Sequence, residues 1–206
     1  MLISHKNRFI FVHIYKNAGT SITAALKPFA APKWQRGIAR VIKKIGISPS
    51  FDCEPFHGHI TATELKRILG PSEFGSFFTF AIVRNPWDWQ VSLYKYMLKT
   101  QDHFQHDLIK GMDSFDAYIK WRCEHEVRFQ RDFIFDGDDC IVDFVGRLED
   151  LESDFGEICK RIGIRASLPR LNVSNSNPYR QFYSDESRRL VEETFAPDIE
   201  AFGYEF

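Results

Sequence analysis

The sequence predicts an α/β fold in which a central, mainly parallel sheet is flanked by helices. Phe9 to Ile14 is a short, nearly continuous apolar run, as expected of a strand buried on both faces of a parallel sheet. It passes through a turn containing Gly19 into a helical pattern, the strand–turn–helix opening of an α/β unit. Phe77 to Val83 repeats the arrangement, running through Arg84-Asn85-Pro86 into a second helical pattern.

The remaining elements follow in chain order. The first helical pattern spans Ile22 to Leu26 and is closed by Pro28. Residues 31–56 are basic and broken by Pro32, Gly37, Gly46, Pro49 and Pro55, with a short helix read from Ala39 to Ile45. Thr61-Ala62-Thr63-Glu64 has the spacing of a capping box, and Leu65, Ile68 and Leu69 supply the apolar stripe behind it. Pro86 suits the first turn of a helix that extends to about Lys99. Residues 100–112 read as a polar loop, and Ser114 as the cap of a helix from Phe115 to His125. Ile141 to Gly146 is a third strand, followed by an amphipathic helix from Glu149 to Ile162 that stops at Gly163. Residues 168–183 read as loop, and Ser184 starts a last helix through Phe195.

The bulk properties restrict what the chain can do. Its 206 residues fit a single domain, 1–206, with a real core, and twenty Phe supply aromatic mass for that core. A net charge of −1 gives no global field for nucleic acid or an anionic membrane. Any anion must therefore be held locally. No stretch approaches the ~20 apolar residues needed to span a bilayer, and no signal-peptide pattern opens the chain. Cys53, Cys123, Cys140 and Cys159 are widely separated, which suits a reduced, cytoplasmic setting. Oligomeric state leaves no mark in the sequence.

Two turns carry the chemistry. Between Tyr15 and Ser21, backbone N–H groups around Gly19 at a helix start form an anion cradle that the helix dipole reinforces. Lys16 adds a point charge, and Thr20 and Ser21 add hydroxyls. A Walker A loop needs G-x-x-x-x-G-K-[ST]. Here no glycine stands in the required place before Gly19, and the lysine precedes that glycine by three positions.

The run Phe11-Val12-His13-Ile14-Tyr15-Lys16-Asn17-Ala18-Gly19-Thr20-Ser21-Ile22 resembles the 5′-phosphosulfate loop of the PAPS-dependent sulfotransferases, especially the carbohydrate-sulfotransferase branch and its bacterial relatives (sulfotransferase family 2). Tyr15 stands where that family usually has proline. Val83-Arg84-Asn85-Pro86-Trp87-Asp88-Trp89-Gln90-Val91-Ser92 resembles its 3′-phosphate motif, an arginine after a strand with a serine eight residues on. Arg84 can grip a phosphate bidentately, and Ser92 can donate a hydroxyl from two turns into the helix. Trp89 replaces a frequent second arginine. Asp143 to Leu151 resembles the approach to a late helix. Leu171-Asn172-Val173-Ser174 with Tyr179 to Tyr183 resembles the C-terminal nucleotide loop, in which Arg180 is a further candidate for the 3′-phosphate.

The resemblance implies a P-loop-like three-layer fold. It also implies transfer of a sulfuryl group from PAPS to an acceptor hydroxyl, releasing PAP. Cofactor-binding candidates are Lys16, Asn17, Ala18, Gly19, Thr20, Ser21, Arg84, Ser92 and Arg180. Histidine is the natural base near neutral pH. His57-Gly58-His59 lies just before the capped helix, where glycosaminoglycan-type members carry a similar His-x-His. His59 is thus the preferred base and His57 its assistant or alternate, while His13 reads as a core residue of the first strand. Lys16 joins them as a catalytic candidate, offsetting charge on the leaving oxygen. Cys53, His57 and His59 lack an evident fourth ligand for structural zinc, so no metal is expected. The expected acceptor is a small molecule or a glycan, with no nucleic acid and no membrane segment. Two other readings remain: a divergent P-loop kinase, and a non-catalytic nucleotide-binding module.

Overall fold

Strand β1 (Leu2–Ser4) pairs antiparallel with β2 (Phe9–Val12), which pairs parallel with β3 (Phe78–Val83). The structure is a computed structural model that describes residues 1–30, 59–169 and 178–206. Helix α1 (Gly19–Ala30) follows β2, α2 (Ala62–Leu69) and α3 (Pro71–Phe74) precede β3, and α4 (Pro86–Lys99) follows it. Then come α5 (His106–Lys110), α6 (Phe115–His125) and a two-stranded ribbon, β4 (Phe135–Asp136) with β5 (Asp139–Cys140). Strand β6 (Phe144–Arg147) pairs parallel with β3 and completes the sheet order β1-β2-β3-β6. Helices α7 (Leu151–Arg161), α8 (Asp185–Thr194) and α9 (Ala196–Phe202) follow. The α/β architecture with a mainly parallel, helix-flanked sheet is the one the sequence predicts.

The chain forms two compact units, Met1–Val83 with Asp132–Asn172, and Arg84–Arg131 with Val173–Phe206. In the first, Phe9, Phe11, Phe80 and Ile82 share one sheet face. They pack with Ile22 and Leu26 of α1 and with Phe155 and Ile158 of α7. The alternate residues Ile10, Val12, Ala81 and Val83 are buried as well, which is why these strands read as continuous apolar runs. In the second unit, α4, α6 and α8 bury Trp87, Trp89, Tyr118, Ile119 and Val191.

Several boundaries differ from the sequence reading. Helix α1 continues through Pro28 to Ala30. Proline forfeits one helical N–H bond, but buried Leu26 and Ala30 hold the last turn against the core. Strand β2 ends at Val12, so His13 lies beyond it. Strand β6 starts at Phe144 instead of Ile141. The Asp143 carboxylate accepts from Thr79 N (2.7 Å) and Thr79 Oγ1 (2.8 Å), tying the chain to the start of β3 before the ladder begins. The expected loops contain α5 and a 3₁₀ turn at Tyr179–Phe182. β1, the ribbon and α9 have no counterpart in the sequence reading, being too short to show a period. The helix read at 39–45 lies outside the described residues.

Candidate functional site

The first candidate turn leaves β2 and re-enters regular structure at α1. Lys16 (φ 66°) and Ala18 (φ 55°) both adopt the left-handed backbone region, which costs a non-glycine residue about 1–3 kcal/mol and gathers at functional loops. Buried Asn17 between them donates from Nδ2 to Ile82 O of β3 at 2.9 Å. That bond pins the loop to the sheet, so Asn17 serves the backbone's shape. Ala18 O accepts the first helical bond, from Ile22 N at 3.0 Å. The first turn of α1 carries no acidic residue, and Thr20 is exposed while Lys16 and Ser21 are half-buried. Its first N–H groups and the positive end of its dipole give this terminus the polarity that suits an anion.

His59 stands beside this loop. Its Nδ1 lies 3.2 Å from His13 O. A carbonyl only accepts, so the Nδ1–H tautomer is the one that bonds it, and in that tautomer the lone pair is on Nε2. The His13 and His59 ring centroids are 4.9 Å apart, and Tyr15 meets His59 edge-on at 5.6 Å. Phe133 in turn meets Tyr15 edge-on at 5.7 Å. His13 is half-buried and part of this cluster, which corrects its reading as a core histidine. Tyr15, which stands where the family usually has proline, belongs to the same cluster. His57 lies outside the described residues, as do Cys53 and Leu171-Asn172-Val173-Ser174. Among the described residues no cluster of His, Cys, Asp or Glu suits a metal ion, and no helix is long and apolar enough to cross a bilayer.

The second candidate turn is built from side chains. Asn85 caps α4, its Oδ1 accepting from Trp87 N (3.1 Å) and Asp88 N (3.4 Å), with Pro86 in the first turn. Arg84 Nε donates to Asp88 Oδ2 at 2.8 Å, which fixes the plane of a guanidinium whose side chain is 12% exposed. Gln130 brackets the Arg84 backbone, accepting from its N (2.9 Å) and donating to its O (2.8 Å). Gln130 N and Arg131 N donate to the buried Asp198 carboxylate at 2.8 and 2.9 Å. Sequence reasoning missed Gln130 and Asp198 because they lie far from Arg84 in the chain. Ser92 is half-buried on α4. Tyr183 Oη donates to Trp87 O at 2.8 Å, and burial pushes its hydroxyl well above the ordinary range, so it stays a neutral donor. Arg180 Nη2 donates to Phe206 O at 2.8 Å in the same unit.

A profile of the Sulfotransferase family matches residues 1–205. A protein of Archaeoglobus fulgidus, described as uncharacterized, is 27% identical over 121 residues, which are 57% of this chain and 94% of that one. The crystal structure of mouse sulfotransferase SULT7A1 complexed with PAP superposes with a TM-score of 0.59. The match covers 96% of this chain and 86% of that one at 13% identity, a likeness of fold.

Proposed function

Because the chain belongs to the sulfotransferase family, we propose that it moves the sulfuryl group of PAPS to a hydroxyl of a carbohydrate or similar small acceptor. The observation that carries this reading is His59 beside the 16–21 loop with its Nδ1 3.2 Å from His13 O, a contact that leaves Nε2 as the nitrogen able to take a proton. In the proposed reaction that nitrogen takes the acceptor's proton as the oxygen attacks sulfur. The bond between sulfur and the bridging oxygen breaks, and PAP leaves. Lys16, beside the start of α1, offsets the charge that builds on the bridging oxygen, a preorganised electrostatic role. The loop amides and the hydroxyls of Thr20 and Ser21 hold the 5′ phosphosulfate. Arg84, with its guanidinium fixed by Asp88, and Ser92 hold the 3′-phosphate. Arg180 assists only after exchanging Phe206 for phosphate. The mouse neighbour's PAP supports this choice of donor, and among the described residues the free thiols of Cys123, Cys140 and Cys159 suit a reducing, cytoplasmic setting.

The test is mass-spectrometric detection of sulfated product from PAPS with a panel of sugars and small alcohols. Wild type is expected to give product, and His59→Ala to lower turnover about 10²- to 10⁴-fold with PAP binding retained. Unchanged turnover in His59→Ala sinks the base assignment. Tight PAP binding without magnesium, against weak ATP binding, separates this reading from a kinase.

A further inference from the structure

We propose that His13 is a positioning residue, its imidazole seated in a socket that Gly19 leaves open and its ring holding His59 at the mouth of the loop. The inference rests on the reading of His59 as base. A Cβ placed on Gly19 would lie 1.7 Å from His13 Nε2, 2.0 Å from Cδ2 and 2.6 Å from Cε1. Three ring atoms therefore lie against the Gly19 backbone, in the volume any other residue would fill.

The φ of Gly19 lies outside the left-handed region, unlike those of Gly70, Gly137, Gly163 and Gly203. Alanine fits the backbone at position 19, so glycine is required there by the ring of His13 and not by the turn. This separates Gly19 from its loop neighbours, since Lys16 and Ala18 carry the unusual backbone and Gly19 carries the vacancy in side-chain space.

The ring is held from three sides. Phe11 stacks on it at 5.8 Å with an interplanar angle of 27°, Gly19 lies under it, and His59 meets it at 4.9 Å and 50°. Its backbone is fixed by Val12, the last residue of β2, and by buried Ile14. His59 itself is exposed, with α2 starting just beyond its capping residue Thr61. His13 acts on it twice. The carbonyl selects the Nδ1–H tautomer, and the ring sets the direction in which the lone pair of Nε2 points. A misplaced base at the reacting atoms costs about 10²-fold for 1 Å, so a positioning residue here has a measurable effect on turnover without touching the donor.

The experiment is a double-mutant comparison on the full chain, with PAP binding read by calorimetry, folding by thermal melting and turnover with PAPS. His13→Ala is expected to lower kcat about 10- to 100-fold with KM for PAPS and PAP affinity unchanged. Gly19→Ala is expected to lose PAP binding or folding, because its methyl group and the His13 ring compete for one volume. The double variant His13→Ala, Gly19→Ala is expected to recover folding and PAP binding while kcat stays at the His13→Ala value. Three results overturn the proposal: His13→Ala with unchanged kcat, an equal loss in kcat and PAP affinity, or a double variant no better than Gly19→Ala. Absence of transfer and PAP binding in wild type instead overturns the donor reading on which it rests.

Discussion

The two candidate anion grips are made from different material. The 16–21 loop is a backbone device: two left-handed residues, a glycine and one buried asparagine bonded to Ile82. The Arg84 segment is a side-chain device, in which Asn85, Asp88, Gln130 and Asp198 brace one guanidinium and its peptide. A backbone device is broken by adding atoms, and a side-chain device by removing them. The proposed chemistry matches the difference. A group whose charge shifts during transfer is best met by dipoles fixed in advance, whereas a spectator phosphate is best met by a planar, bidentate cation.

The largest expected effect sharpens that contrast at the loop's one cation. Lys16→Ala is expected to lower kcat about 10²- to 10³-fold while PAP affinity changes much less. Steady-state kinetics with PAPS and calorimetry with PAP measure the two. Losses of equal size would make Lys16 an affinity residue like Arg84 and dissolve the distinction. Arg84→Ala should show the reverse pattern. Losing hydrogen bonds to a charged group costs about 1.5–3 kcal/mol, or about 10- to 100-fold in the Kd for PAP, with kcat at saturating PAPS near wild type. A large loss of kcat at saturation would place Arg84 in the transfer step itself.

The contrast also explains what the sequence made legible. Strands β2 and β3 and helix α7 were readable because burial imposes an apolar pattern, β6 because Val, Ile and Phe crowd its approach, and α4 because Pro86 marks its first turn. Helix α2 was readable because the Thr61–Glu64 capping box is local. Lys16, Arg84 and Ser92 were singled out through short motifs that begin at strand ends. What stayed hidden depends on contacts between distant positions. Gln130 and Asp198 reach Arg84 from elsewhere in the chain, and the ring of His13 decides the residue at 19 across a turn. His13 looked like a strand residue because apolar Ile14 follows it; the change of direction at left-handed Lys16 has no signature, since lysine is not a residue that marks a left-handed backbone. The ribbon and α9 fell below the length at which periodicity is visible.

The smallest expected effect concerns the piece of structure that follows His59. Thr61 N and Oγ1 donate to the Glu64 carboxylate at 2.9 and 3.1 Å, and Glu64 N donates to Thr61 Oγ1 at 3.1 Å. The backbone bond first, then the hydroxyl, holds the Glu64 carboxyl below its ordinary range. A depressed folded-state value means the cap contributes fully above the unfolded-state value and fades as pH falls through the folded one. Thr61→Ala is therefore expected to lower stability by about 1 kcal/mol at neutral pH, read by thermal melting, with KM for PAPS unchanged. As pH falls into the acid range the gap from wild type should shrink, because protonation of Glu64 removes half of the same box. A gap independent of pH would assign the whole cap to the Thr61 hydroxyl. A rise in KM would mean that the loop's grip depends on side-chain capping of α2, and would erase the difference between the two devices.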